Sequence, residues 1–258
     1  MKPKALVFFD LDGTLLNDQS KIDSDVIDAI QTMKENNIIP FIATGRSPIE
    51  IQKIAKGSGI DSFIGLNGQI VQYEDKEVFR SVIAKDLLVE LKKMADQVGL
   101  PLSYYSADAI RVSKITETVK DAYKFINEDT PQVDEHFYEK EEILMSLVIN
   151  DNREEDGPFI EKFPEFSFYR NTPFSMDVIN KGHSKATGID VLIKDQGLED
   201  VPMYAFGDGR NDLEMFDKVD VAIAMENGYE DVKAAADYVT ASNIDGGILK
   251  ALKKYDLI

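Results

Sequence analysis

The sequence predicts an α/β fold in which a parallel-sheet core is interrupted by an inserted α+β unit. Residues 5–9 form an unbroken apolar run, as expected of a parallel strand covered on both faces, and the run ends abruptly in two carboxylates, Asp10 and Asp12. Two further apolar runs, 38–43 and 203–206, also end in polar chemistry, Thr44-Gly45-Arg46 and Gly207-Asp208-Gly209-Arg210-Asn211-Asp212. The carboxyl ends of strands are where open α/β sheets bind ligands. Between these halves the pattern changes to paired short strands and helices with hairpin-like turns, an α+β unit of about 100 residues. The expected division is a core over 1–81, an inserted domain over 82–180 and a resumed core over 181–258.

The elements follow in order. After the acidic loop, Ile22, Val26, Ile27, Ile30 and Met33 repeat at helical spacing, with Asp23 or Ser24 placed to cap a helix of about four turns. The second strand has Pro40 near its start, where a missing N–H is tolerable. Ser47-Pro48 reads as N-cap and first position of a short helix to Lys56. Residues 63–66 form a third strand, and Asn67-Gly68 predicts a two-residue hairpin turn into the alternating stretch 70–73. In the inserted region, Leu87, Leu88, Leu91, Met94 and Val98 mark a helix closed by Gly99 and Pro101. Strands are expected at 102–105, 109–112, 143–149, 166–169 and 176–179, with a helix around Val119, Ala122, Tyr123 and Ile126. The run 151–157 reads as a solvated loop. From Lys181 the α/β pattern resumes: Ser184 caps a helix to Lys194, 203–206 and 221–224 are strands, and helices over 229–235 and from 247 flank a short strand at 238–239.

Composition narrows the function. At 258 residues, roughly 70–75% of the unfolded surface can be buried, enough for a sizeable core. Lys and Arg number 29 against 47 Asp and Glu, and the resulting formal charge of −18 opposes binding to nucleic acid or anionic membranes. An anionic ligand therefore requires a local positive site. Without cysteine the chain has neither disulfides nor thiolate metal sites, and a reducing cytoplasm is its simplest home. The opening apolar run is too short and too quickly acidic for a signal peptide, and no stretch reaches membrane-spanning length.

Residues two apart on an extended chain point the same way, so Asp10 and Asp12 are expected to project together where the first strand ends. Paired carboxylates repel, and either a raised pKa or a bound cation relieves them. An acidic strand-to-loop turn without function is the alternative.

The order of the pieces is more specific than any one of them. Phe9-Asp10-Leu11-Asp12-Gly13-Thr14-Leu15, Ala43-Thr44-Gly45-Arg46, Gly182-His183-Ser184-Lys185 and Gly207 to Asp212 resemble the four motifs of the haloacid dehalogenase superfamily, in its Cof-like sugar-phosphatase branch. The resemblance spans essentially the whole chain and implies a Rossmann-like core with an α/β cap inserted between the second and third motifs. His183 stands where that pattern usually has an aliphatic residue, and Ala186 replaces a common glycine. The resemblance also implies that dehalogenases lack the second carboxylate, here Asp12, which phosphatases and phosphomutases keep.

A phosphomonoester is a poor electrophile ringed by negative charge, so its site needs an in-line nucleophile, cations on the equatorial oxygens and a proton for the leaving oxygen. Asp10 is the candidate nucleophile, forming an aspartyl-phosphate, and Asp12 the candidate acid and then base. Asp208 joins Asp10 around Mg²⁺, a hard cation that prefers oxygen ligands; the family implies the Asp12 carbonyl as a further ligand and Asp212 as support. Thr44, the Gly45 amide and Asn211 are candidate phosphate donors, and Lys185 neutralises charge on the phosphoryl group and nucleophile. Arg46 is either a phosphate or substrate contact or an exposed charge at a helix start. Lys181 rivals Lys185, but the family pattern ends in Ser-Lys. His183 and His136 resemble no metal cluster. The expected function is a Mg²⁺-dependent phosphatase of small phosphorylated metabolites, with sugar phosphates as the expected substrates. The alternatives are a phosphomutase on the same core and a non-enzymatic signalling or scaffold domain.

Overall fold

The computed structural model describes residues 2–258; Met1 lies outside them. The described residues form two compact units, one of 2–46, Glu50–Phe79 and Ser184–Ile258, the other of Ser47–Ile49 and Arg80–His183.

The first unit is built on an eight-stranded sheet. Its order is Tyr238–Val239, Val221–Ala224, Met203–Gly207, Ala5–Phe9, Ile38–Ala43, Phe63–Gly65, Ile70–Tyr73 and Lys76–Arg80. Every residue of Ala5–Phe9 is buried, as its apolar run requires. Phe8 stacks on Phe41 and Phe9 on Phe206, each pair with centroids 4.9 Å apart. Aromatic pairs of this kind contribute about 0.5–1.5 kcal/mol beyond area burial, and here they pin the central strand against both parallel neighbours. From Ala5–Phe9 the chain lays successive strands to one side, and after the second unit it resumes on the other side with Met203–Gly207. The strand order thus reverses between Ala5–Phe9 and Met203–Gly207, and the ends of these two strands carry Asp10 and Asp208. That is the topological switch point of an open α/β sheet.

Several local features differ from the sequence expectation. The helix Ser24–Glu35 is three turns rather than four, and Asp23, at its N-cap, binds Asn17 Nδ2 at 2.6 Å instead of the helix backbone. Asn67-Gly68 is not a two-residue hairpin turn. The antiparallel register pairs Gly65 with Ile70, leaving a four-residue loop in which both Leu66 (φ 51°) and Asn67 (φ 52°) are left-handed. The loop is held by Leu66 N donating to Arg46 O and Asn67 N to Thr44 O, each at 3.0 Å, so a neighbouring strand exit shapes it. Gly68 is required by contact: a Cβ there would stand 2.1 Å from the Ser184 carbonyl oxygen. Ser184 caps the helix Lys185–Gln196 through a reciprocal pair with Thr187, Ser184 N donating to Thr187 Oγ1 at 2.8 Å.

The second unit is a five-stranded antiparallel sheet, ordered Ile110–Val112, Leu102–Tyr105, Met145–Ile149, Ser175–Asn180 and Phe166–Thr172. Lys85–Gln97 packs on it through Leu88, Leu91 and Ala95. The run 151–157 is not simply loop: a 3₁₀ turn at Arg153–Glu155 leads into the helix Asp156–Lys162, which buries Phe159. Asp156 is fixed by Arg170, whose Nε donates to it at 2.6 Å while Nη2 donates to Asn150 Oδ1 at 2.7 Å. At the two ends of this unit, Ser81 Oγ lies 3.1 Å from His183 Nε2 and accepts from Asn180 Nδ2 at 2.9 Å. Among the described residues no helix is long and apolar enough to cross a membrane.

Candidate active site

The nucleophile candidate sits where the central strand stops. Asp10 is buried, and its N–H continues the sheet by donating to Phe206 O at 3.0 Å. Leu11–Leu15 then forms one wide turn, closed by Leu15 N donating to Asp10 O at 3.1 Å and Leu16 N to Leu11 O at 2.9 Å. Gly13 makes the turn possible. Its φ is 81°, and a Cβ would stand 2.4 Å from Asp208 Oδ2, so only glycine fits so close to that carboxylate.

Lys185, the first residue of its helix, is fully buried and joins the two ends of the chain. Its Nζ donates to Asp10 Oδ1 and, at 2.6 Å, to Asp212 Oδ1. Asp212 in turn braces the loop after Met203–Gly207, its Oδ2 accepting from Asp208 N at 3.0 Å and Gly209 N at 2.9 Å. Asp208 Oδ1 accepts from Thr14 Oγ1 at 2.9 Å. Asp10, Asp208 and Asp212 each bring an oxygen within 4.8 Å of the others, a donor set that could hold a metal ion.

Asp12 lies outside that cluster. Its carboxylate, largely exposed, receives a two-pronged bond from the buried Arg46, Nε to Oδ2 at 2.8 Å and Nη2 to Oδ1 at 2.6 Å. Arg46 is therefore not an exposed helix-start charge. Thr44 is buried, with its hydroxyl oxygen accepting from Arg46 N at 3.2 Å. Beside it, a Cβ on Gly45 would come within 3.2 Å of Asn67 Nδ2, and Asn211 Nδ2 donates to Asn67 Oδ1 at 3.4 Å. Thr44, Gly45, Asn67 and Asn211 thus form one contiguous polar patch. Lys181 falls in the second unit and is not a member of this set.

Two members of this arrangement, Thr14 and Asn67, are given no site role by the sequence alone. Thr14 stands two residues beyond Asp12 inside the acidic motif, and a hydroxyl there is the available clue. Asn67 reads as an ordinary turn residue, and its part-buried contact with Asn211, 144 positions away, has no local signature.

Electrostatics decide what the site accommodates. Burial pushes the Asp10 carboxyl well above the usual range; Lys185 opposes this, while Asp212, Asp208 and Asp12 add to it. Asp208 is pushed up to about 6, by burial first and Asp212 second, against the hydroxyl bond from Thr14. Burial alone would lower Lys185, but Asp10 and Asp212 outweigh it and hold the ammonium charged. Four carboxylates, Asp10, Asp12, Asp208 and Asp212, face two cationic side chains, Lys185 and Arg46. With all four ionised the formal excess is two negative charges, which burial disfavours in the metal-free site, and that excess and the all-oxygen donor set fit a hard divalent cation.

The family described as haloacid dehalogenase-like hydrolases matches residues 7–252. The Bacillus subtilis (strain 168) protein named "Putative phosphatase YkrA" is 33% identical over 254 residues, covering 98% of both chains. Among solved structures, the "HAD Subclass IIB Sugar Phosphatase BT4131" is 31% identical with a TM-score of 0.84, over 98% of this chain and 99% of that one. BT1666 from Bacteroides thetaiotaomicron, described among phosphatases of the same superfamily, is 26% identical with a TM-score of 0.89, over 99% and 96% of the two chains.

Proposed function

The chain belongs to the haloacid dehalogenase-like hydrolase family and is a phosphatase, and we propose that it hydrolyses small phosphorylated metabolites, sugar phosphates foremost, through an aspartyl-phosphate on Asp10 with Mg²⁺ bound. The observation that carries this is the buried Asp10 at the switch point, oriented by Lys185 and grouped with Asp208 and Asp212. The likeness to a sugar phosphatase supports the substrate class. Relatives named as phosphatases favour hydrolysis over the mutase and signalling alternatives. In this reading residues 82–180 are the cap domain, 1–81 and 181–258 the core, and the protein works in the cytoplasm.

Asp10, Asp208 and the Asp12 carbonyl would hold the Mg²⁺, with Asp212 supporting them; when bound it offsets the carboxylates' charge and polarises the phosphoryl oxygens. Lys185 occupies Asp10 Oδ1, which leaves Oδ2 to attack phosphorus while the bond to the ester oxygen breaks. Asp12 gives its proton to that leaving oxygen, a role typically worth about 10²–10⁴ in rate. The Asp12 carboxylate then takes a proton from water, whose oxygen attacks phosphorus, breaks the bond to Asp10 and releases phosphate. Arg46 orients the Asp12 side chain, which is the carboxylic acid in the first step and the carboxylate in the second. Thr44, the Gly45 amide and Asn211 donate to phosphoryl oxygens, and Arg46 also stands within the group that would meet substrate.

Phosphate release from p-nitrophenyl phosphate and a panel of sugar and nucleotide phosphates, with Mg²⁺ and with chelator, tests this function. Metal-dependent release with sugar phosphates ranked first is the expected result. Isomerised sugar phosphate with little free phosphate, or release unaffected by chelator, would overturn it.

A further inference from the structure

The turn that carries Asp10 and Asp12 is held from outside by two asparagines from late in the chain. Its own closing bonds use the carbonyls of Asp10 and Leu11. The Gly13 carbonyl accepts from Asn227 Nδ2 at 2.8 Å, and the Leu16 carbonyl from Asn243 Nδ2 at 2.7 Å. Asn227 cannot turn its amide over without loss. The Asn243 backbone N–H donates to Asn227 Oδ1 at 3.1 Å, which points the NH₂ edge at Gly13.

The segment bearing Asn227 is also fastened to the Asp208 loop. Met225 N donates to Gly207 O at 3.0 Å and Tyr229 N to Asp208 O at 3.1 Å. Gly228 lies so close that a Cβ would be 3.0 Å from both the Cα and the carbonyl oxygen of Asp208. Asn227 therefore has its backbone anchored on the loop that presents Asp208 and its side chain on the turn that follows Asp10.

We propose that Asn227, oriented by Asn243, is a positioning residue that sets the separation of Asp10 from Asp208. The two carboxylates belong to different loops, and their mutual repulsion tends to spread those loops when no cation lies between them. A rigid crosslink outside the cluster keeps the donor oxygens at a spacing a small cation can use, at no cost to the coordination sphere itself. Asn227 is exposed, so its truncation leaves no cavity and should leave the fold intact.

The inference rests on the proposed metal site, and its test separates the two. Mn²⁺ alone is titrated into the wild type, Asn227→Ala and Asn243→Ala, with free Mn²⁺ read by electron paramagnetic resonance; kcat and KM for p-nitrophenyl phosphate and the melting temperature are measured in parallel. Loss of one such hydrogen bond should weaken Mn²⁺ binding in Asn227→Ala by about three- to tenfold. kcat should fall with it while KM stays within about twofold, the pattern of misplaced reacting groups rather than lost substrate contacts. Asn243→Ala should move both quantities the same way, by less. A wild type that binds Mn²⁺ alongside an Asn227→Ala protein of equal affinity and kcat would overturn the positioning role alone, as would a lowered melting temperature as the only change. A wild type that binds no Mn²⁺ would overturn the metal site and this role together.

Discussion

Replacing Asp208 by Asn should make the metal-free protein more stable while disabling it. Asp208 titrates at about 6 in the folded protein because burial and Asp212 disfavour its charge, against an ordinary value near 3.8. A carboxyl whose folded pKa is raised contributes stability that is complete below the unfolded pKa and is lost as pH rises through the folded one. At pH 8 the charged carboxylate therefore costs the fold, and a shift of about two units corresponds to about 3 kcal/mol at 1.36 kcal/mol per unit. Partial access to water reduces this to about 2 kcal/mol. The amide keeps an oxygen to accept from Thr14 Oγ1, so the substitution removes charge without removing that bond. In chelator at pH 8, thermal melts should place Asp208→Asn above the wild type by about 4 to 8 °C. The difference should vanish below about pH 3, where the wild-type carboxyl is protonated in both states. Saturating Mg²⁺ should raise the melting temperature of the wild type and leave the variant unmoved. A variant that melts at or below the wild type in chelator at pH 8 would refute the claim that these carboxylates are electrostatically strained without a cation.

Other consequences can be checked in the same preparations. Gly13→Ala must adopt a left-handed backbone and place its Cβ 2.4 Å from Asp208 Oδ2, so denaturant unfolding should show a loss of about 2 kcal/mol or more; wild-type stability would contradict the close approach. Tyr104 Oη, in the second unit, is buried without a hydrogen-bond partner among the described residues, so Tyr104→Phe should gain about 1 kcal/mol, and a loss would reveal a partner. Burial lowers the His183 pKa below its usual 6.5, so its contribution to stability is complete above that pH and is lost as pH falls through the window below it. The pH dependence of melting should differ between wild type and His183→Gln only there; parallel curves would count against a half-buried neutral imidazole.

What is legible in the sequence follows from where apolar runs stop. A buried strand must end at the sheet's edge, so the pattern alone puts Asp10, Thr44 and Asp208 each at a strand exit, and the cap chemistry of Ser184 puts Lys185 at a helix start. Their convergence then depends only on a parallel sheet around Ala5–Phe9. The partner of Arg46 is not legible. A phosphate contact and an exposed charge are both consistent with its position, and the bond to Asp12 joins residues 34 apart through tertiary structure. The loop at 66–69 departs from its local pattern for a related reason: Asn-Gly specifies a tight turn when only its two strands matter, and here Arg46 O and Thr44 O draw Leu66 and Asn67 into a wider one. The helix Asp156–Lys162 is hidden by the charge around it, since only Phe159 marks its buried face and Asp156 is fixed by Arg170 from the next strand, Phe166–Thr172.

The central claim is that Asp10 attacks phosphorus, and a single-turnover reaction quenched in acid tests it most directly. Borohydride reduction of the quenched protein should convert residue 10 from aspartate to homoserine, located by peptide mass spectrometry, because an acyl phosphate is reduced where a free carboxylate is not. The adduct should appear with substrate and Mg²⁺ and be absent from Asp10→Asn, which should fold normally and release no phosphate. Phosphate release by Asp10→Asn at the wild-type rate, or a wild-type turnover that leaves residue 10 unlabelled, would contradict the account.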